Sequence, residues 1–168
     1  MTDLSRREAV AAAAIAGAAA LAPASLAAQT ASNRDITWDL SALYADDAAW
    51  DSARLSALEA VKGMAAYKGR LSESAETLAA AFTMQSDLYR QILRVYVYAS
   101  LRADEDVRVS ANQEKQGQAV DLFTAFSEAS AWIAPEVLSI GEAKIKQFIA
   151  GNAVLRDRFD HALADMLR

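Results

Sequence analysis

No proline or glycine interrupts residues 70–116, and across that span apolar side chains return at steps of three and four. Leu78, Phe82, Gln85, Tyr89, Ile92, Tyr96 and Ala99 trace one stripe, flanked by Ala81, Leu88 and Val95. Such steps share one face of a helix with 3.6 residues per turn, whereas a half-buried strand requires steps of two. The pattern predicts a helix of roughly 30 residues that starts near Ser72–Ser74. Glu73 and Glu76 then lie in its first turn, where carboxylates favour the positive end of the helix dipole. Tyr96-Val97-Tyr98 has strand propensity, but the helical period continues on both sides of it. A rod of this length must bury its stripe against other helices, and that requirement points to an all-α fold.

The rest of the chain supplies those partners. Asp46-Asp47 can cap a helix from Ala48 to about Lys68, with Trp50, Ala53, Ala57, Leu58, Val61 and Met64 on its inner face. Gly69 suits the left-handed residue just past its end. Asp104-Glu105-Asp106 marks a turn, a solvated half-helix and then an apolar face carrying Val120, Phe123, Phe126 and Ser130. Pro135-Glu136 restarts the chain, because proline fits a first helical position where no N–H is needed. A short helix follows over Glu142–Ile149, ended by Gly151-Asn152, and a last one over Ala153–Arg168. Two prolines and six glycines in 168 residues are too few for a turn-rich β fold. The expectation is an antiparallel bundle, or lobe, of about five helices.

Residues 1–27 stand apart as an export signal. Arg6 and Arg7 precede a charge-free stretch from Ala9 to Ala28 in which 13 of 20 residues are alanine. Ser25 and Ala27 provide the small side chains a signal peptidase reads. The paired arginines before a weakly apolar core resemble a twin-arginine signal, although Ala9 stands where that motif carries a large apolar residue. Two readings compete: a membrane anchor, disfavoured by Pro23 and the scarcity of large aliphatics, and upstream sequence translated from a misassigned start codon. The expected organisation is a signal over 1–27 cleaved after Ala27, a linker over 28–35 and a helical lobe over 36–168. Cleavage would place the mature chain in the periplasm, or otherwise outside the cytoplasm.

Chemistry-bearing groups are scarce. With no cysteine, disulfides, thiolate metal sites and a cysteine nucleophile are excluded. His161 is the only histidine, so the two-imidazole H-E-x-x-H zinc pattern is absent. His161 and Asp165 sit four residues apart, a spacing that suits a surface pair better than a metal site. Single glycines exclude a phosphate loop, and a net charge of −5 with dispersed Lys and Arg excludes nucleic-acid binding. Tyr89, Tyr96 and Tyr98 form a possible ligand-facing group but read more simply as core. Asp104, Glu105 and Asp106 read as capping, and Asp87/Arg90 and Asp157/Arg158 as solvated pairs. No catalytic, cofactor-binding or metal-ligating residue can be assigned.

Five segments, in order, carry a resemblance. These are Trp38-Asp39-Leu40-Ser41-Ala42-Leu43-Tyr44 followed by Trp50, then Tyr67-Lys68-Gly69-Arg70-Leu71, then Arg94 to Leu101 with Asp104-Glu105-Asp106. Ala134-Pro135-Glu136-Val137-Leu138 and Phe159 to Arg168 complete the set. Together they resemble the N-terminal region of the oligoendopeptidase F family of zinc metallopeptidases. The resemblance implies a helical N-terminal lobe forming one wall of a channel that admits oligopeptides. It also implies that the zinc and its ligands belong to a catalytic domain missing from this sequence, so that the chain alone is inactive. Its expected partners are oligopeptides and that missing domain. On this reading the last helix packs Leu155, Phe159, Leu163 and Met166 against the missing domain, and the membrane is met only transiently during export. The alternative is a stand-alone exported helical-bundle interaction module.

Overall fold

The computed structural model describes residues 37–168. Arg6, Arg7, Ala27 and the expected linker lie outside the described residues. Six α-helices occur among the described residues, with no strand: α1 (Asp47–Lys62), α2 (Ala75–Glu105), α3 (Ser110–Ser130), α4 (Ile133–Ile140), α5 (Glu142–Gly151) and α6 (Asp160–Met166). A 3₁₀ turn, Gly63–Tyr67, extends α1, and a π turn, Leu155–Phe159, runs directly into α6. No helix among the described residues is long and apolar enough to cross a membrane.

The helix starts are set by local hydrogen bonds. Asp46 takes extended geometry, and its side chain accepts the Ala49 N–H at 2.8 Å. Ser74 does the same for Thr77 at 3.1 Å. Each satisfies one of the N–H groups that a first helical turn leaves without an internal acceptor. Asn152 accepts from Val154 and Leu155 at 3.0 and 3.2 Å, so it starts the last helical stretch as well as ending α5. Gly69 has φ +79°, the left-handed geometry expected of it. Gly141, at φ +83°, is the single residue between the end of α4 and the start of α5.

α2 is the central rod. It buries Leu78, Ala81, Phe82, Leu88, Ile92, Val95, Tyr98 and Ala99. Trp50 of α1 lies nearly parallel to Tyr98, with ring centroids 6.3 Å apart, and Tyr44 meets Tyr98 edge-on at 5.5 Å. The Trp50 indole N–H donates to the Val95 carbonyl at 2.9 Å, so its polar atom is satisfied inside the core. No buried side-chain nitrogen or oxygen lacks a partner among the described residues.

Four expectations require correction. The inner face of α3 is Ala119, Leu122 and Phe126, rotated from the expected line, so Val120 points outward. Asp104 and Glu105 finish α2 instead of starting α3, and Pro135 is the third residue of α4, still within its first turn. The last helix does not hold its apolar face out for a missing partner. Leu155, Phe159 and Leu163 are buried within the chain's own core, with Phe159 edge-on to Phe82 at 5.6 Å. Internal burial removes that apolar surface from water without a second polypeptide.

Candidate functional site

Four of the five segments that carry the family resemblance come together in two pairs, and each pair makes a clamp. In the first, Leu40 is buried and its carbonyl accepts from Leu43 and Tyr44, closing a tight turn. Asp39 accepts the Ser41 N–H at 3.1 Å. Two groups from α2 hold this turn. Glu105 accepts the Trp38 N–H at 2.7 Å, and the Arg94 guanidinium donates to the carbonyls of Ala42 and Leu43 while lying over the Tyr44 ring. Glu105 is itself paired with Arg102 at 3.0 Å. Glu105 and Asp106 of the acidic run are thus structural. Asp106 accepts from the Arg108 backbone and side chain, and Arg108 holds its carboxyl down at about 2.

In the second clamp, the Glu136 carboxylate accepts from Gly69 at 2.8 Å and from Leu71 at 2.7 Å. One carboxylate thereby satisfies two backbone donors in a turn that has no helix or sheet of its own. Lys144 of α5 adds a bond to the Ser72 carbonyl at 2.8 Å. The sequence reading assigned Glu136 only to a helix start. Its reach across 65 and 67 residues has no local signal.

A third group joins three helices. The Tyr98 hydroxyl donates to Asp47 at 2.9 Å, and the Lys115 ammonium lies 2.6 Å from the other oxygen. Lys115 draws the Asp47 carboxyl below the usual carboxylate range against the opposing effect of partial burial, and the Tyr98 hydroxyl assists. The tyrosine group therefore divides. Tyr98 is wholly buried with its hydroxyl paired, Tyr96 is half-buried, and Tyr89 is 47% exposed beside Phe123 and Phe126.

None of these arrangements unites a nucleophile, a base and an oxyanion site. His161 lies 3.3 Å from Asp165 with its side chain 88% exposed, a surface pair. Among the described residues no three His, Asp or Glu side chains are grouped to hold a metal ion. A zinc site built on two imidazoles does not fit the side chains present, because His161 is the only histidine in the sequence. Two apolar depressions flank α2. One, of about 220 Å³, lies between Phe82, Tyr89, Phe126, Phe159 and Met166. The other, of about 490 Å³, lies between Leu93, Tyr96, Val120 and Phe123.

No family model matches the chain. Individual proteins do. Oligopeptidase PepF of Bacillus subtilis is 33% identical over 132 residues, which is 79% of this chain and 20% of its own length. Group B oligopeptidase PepB of Streptococcus agalactiae is 32% identical over 124 residues, 74% of this chain and 20% of its own length. The crystal structure of oligoendopeptidase-F from Enterococcus faecium superposes with a TM-score of 0.65 at 29% identity, covering 71% of this chain and 24% of that one. The chain spans about one fifth of the length of the curated relatives it matches. This agreement in sequence and fold places the chain, over about three quarters of its length, with the oligoendopeptidase F (PepF/PepB) proteins, of which it matches one segment.

Proposed function

We propose that residues 36–168 act as the N-terminal substrate-channel lobe of an oligopeptide-cleaving zinc metalloendopeptidase. On this reading the zinc and its ligands lie in a catalytic domain outside the sequence given, and the lobe alone hydrolyses nothing. The observation that carries it is the 33% identity to PepF over 132 residues, joined to a sequence without H-E-x-x-H. The clamps support it further, because they use four of the five family-like segments to fix turns. Asp47 meets Tyr98, Trp50 meets Val95 and Gly63 lies beside Met84, an order that supports antiparallel packing of α1 on α2. Residues 1–27 serve as a twin-arginine-like export signal, and the mature lobe works in the periplasm. Oligopeptides and the catalytic domain are its partners. Incubating the purified chain with zinc and a fluorogenic oligopeptide should give no cleavage, and adding the catalytic region of PepF should give a one-to-one complex. Zinc-dependent cleavage by the chain alone, or the absence of any complex, overturns the proposal.

One observation favours a second reading, a stand-alone exported helical-bundle interaction module. The last helical stretch buries Leu155, Phe159 and Leu163 internally, as a self-sufficient bundle would. A monomer that melts sharply and ignores the PepF catalytic region is the outcome this reading expects.

A further inference from the structure

We propose that the groove between α2 and α3 docks a basic amphipathic helix of another polypeptide, a role that does not depend on the channel-lobe reading. The groove floor is apolar. Leu93 is 39% exposed and Val120 46%, and with Tyr96 and Phe123 they wall the depression of about 490 Å³. Tyr89, edge-on to Phe123 at 6.0 Å, continues the apolar surface along α2. Three large, contiguous and half-exposed apolar side chains between two helices are what an amphipathic helix covers.

The charges on α3 choose the occupant: Glu128 lines the depression, and two more carboxylates share its line along the helix. Glu114, Asp121 and Glu128 occur every seventh residue along α3. Seven residues are nearly two turns, so the three carboxylates fall in one line, about 10 Å apart and about 21 Å end to end. All three are exposed, and none has a cationic partner among the described residues; Glu114 has only the Gln118 amide at 3.4 Å. Lys115, the single cation of α3, is engaged by Asp47. On the α2 side, Arg90 is paired with Asp87, which Arg158 also approaches at 3.8 Å, and Arg94 is turned to the Ala42 and Leu43 carbonyls. The rim is therefore anionic along α3, and the charge left on α2 is that of Arg94, whose guanidinium is turned to the Ala42 and Leu43 carbonyls. A helix with leucine-like residues on one face and Lys or Arg along the adjoining edge matches both features at once.

A helix fits better than an extended peptide for a backbone reason. An extended ligand needs main-chain partners, usually from a sheet edge. Here both walls are helices whose backbone groups are bonded internally, and the Thr124 hydroxyl at the rim already donates to the Val120 carbonyl at 3.1 Å. A ligand that closes its own hydrogen bonds avoids that shortfall. The acidic line matches about 14 residues, or four turns, of such a helix.

The test uses the whole chain and two fluorescein-labelled 15-residue peptides. Both carry leucine on one face; one has lysine and the other glutamate along the adjoining edge. By fluorescence anisotropy the lysine peptide should bind saturably, one to one, and the glutamate peptide should not. Neutralising the line in the variant E114Q/D121N/E128Q should weaken the lysine peptide about tenfold or more. Val120→Asn, which removes floor without changing charge, should weaken it about fivefold. Both variants alter exposed positions and should melt as the parent does, so a lost fold is separable from a lost site. Absence of saturable binding, equal binding of the two peptides, or unchanged affinity in either variant overturns the proposal. An effect of the charge variant without one of Val120→Asn counts against it too, because diffuse attraction to an acidic protein would produce that result.

Discussion

Glu136 and Leu71 are 65 residues apart in the chain, and the carboxylate of one accepts the backbone N–H of the other at 2.7 Å, with Gly69 bonded to the second oxygen at 2.8 Å. The turn over residues 68–73 follows the 3₁₀ extension of α1 and leads into α2, so its shape decides where the central rod begins. Glu136→Ala leaves both donors without the carboxylate, and the expected loss is about 1–3 kcal/mol of stability. Glu136→Gln keeps one acceptor and should recover part of it. Urea unfolding of the three proteins checks the order. Equal midpoints would show that water replaces the carboxylate without penalty.

Asp47 makes stability depend on acid. Its folded-state pKa lies below the unfolded value because Lys115 and Tyr98 bond the ionised form. Its contribution is therefore complete above the unfolded value of about 3.9 and is lost as pH falls through the lower folded value. Asp47→Asn should destabilise the chain by about 1 kcal/mol near neutral pH, given that the pair is partly exposed. The difference between parent and variant should be constant from pH 7 to 5 and should close below pH 4. Melting temperatures across that range test the sign, and a gap that widens in acid contradicts it.

The long helix, its Ser74 start, the Asp46 cap and the Gly69 turn were readable because each depends on residues a few positions apart. The α3 face was not. Its buried residues begin with Ala119, a small side chain that adds little to a periodic pattern, while Val120 beside it is larger and faces out. Sequence periodicity weights size, whereas packing against α2 selects whichever side chain the gap admits. Tyr89, Tyr96 and Tyr98 differ for the same reason, because their exposure depends on what stands opposite. The clamps were invisible as clamps. A glutamate at a helix start looks alike whether it faces solvent or a turn 65 residues earlier. The five segments marked the family before their partners were known, and pairing gives four of them a structural task.

Leu163 should behave as a core residue. It is wholly buried, near Leu155 and Phe159 at the closing end of the bundle. Leu163→Ala should cost about 2–5 kcal/mol, the range for a buried leucine whose cavity collapses only in part. His161→Gln, two positions earlier on the exposed side, should change stability by less than about 0.5 kcal/mol. Thermal melts of both variants give the comparison. Had the last helix kept its apolar face for another domain, Leu163→Ala would be nearly silent in the isolated chain.

The export proposal rests on Arg6, Arg7 and the small residues before Ala28. Expressed in a bacterium that has both general and twin-arginine export, the chain should appear outside the cytoplasm with Ala28 as its first residue. Exchanging Arg6 and Arg7 for lysine preserves charge but removes the guanidinium pair that a twin-arginine receptor reads. Under that route the double variant should remain in the cytoplasm at full precursor length, while the general route would export it unchanged because only positive charge is needed there. N-terminal sequencing of both fractions separates the outcomes. Retention of Met1 in the parent protein would refute a cleaved signal, whichever route was used.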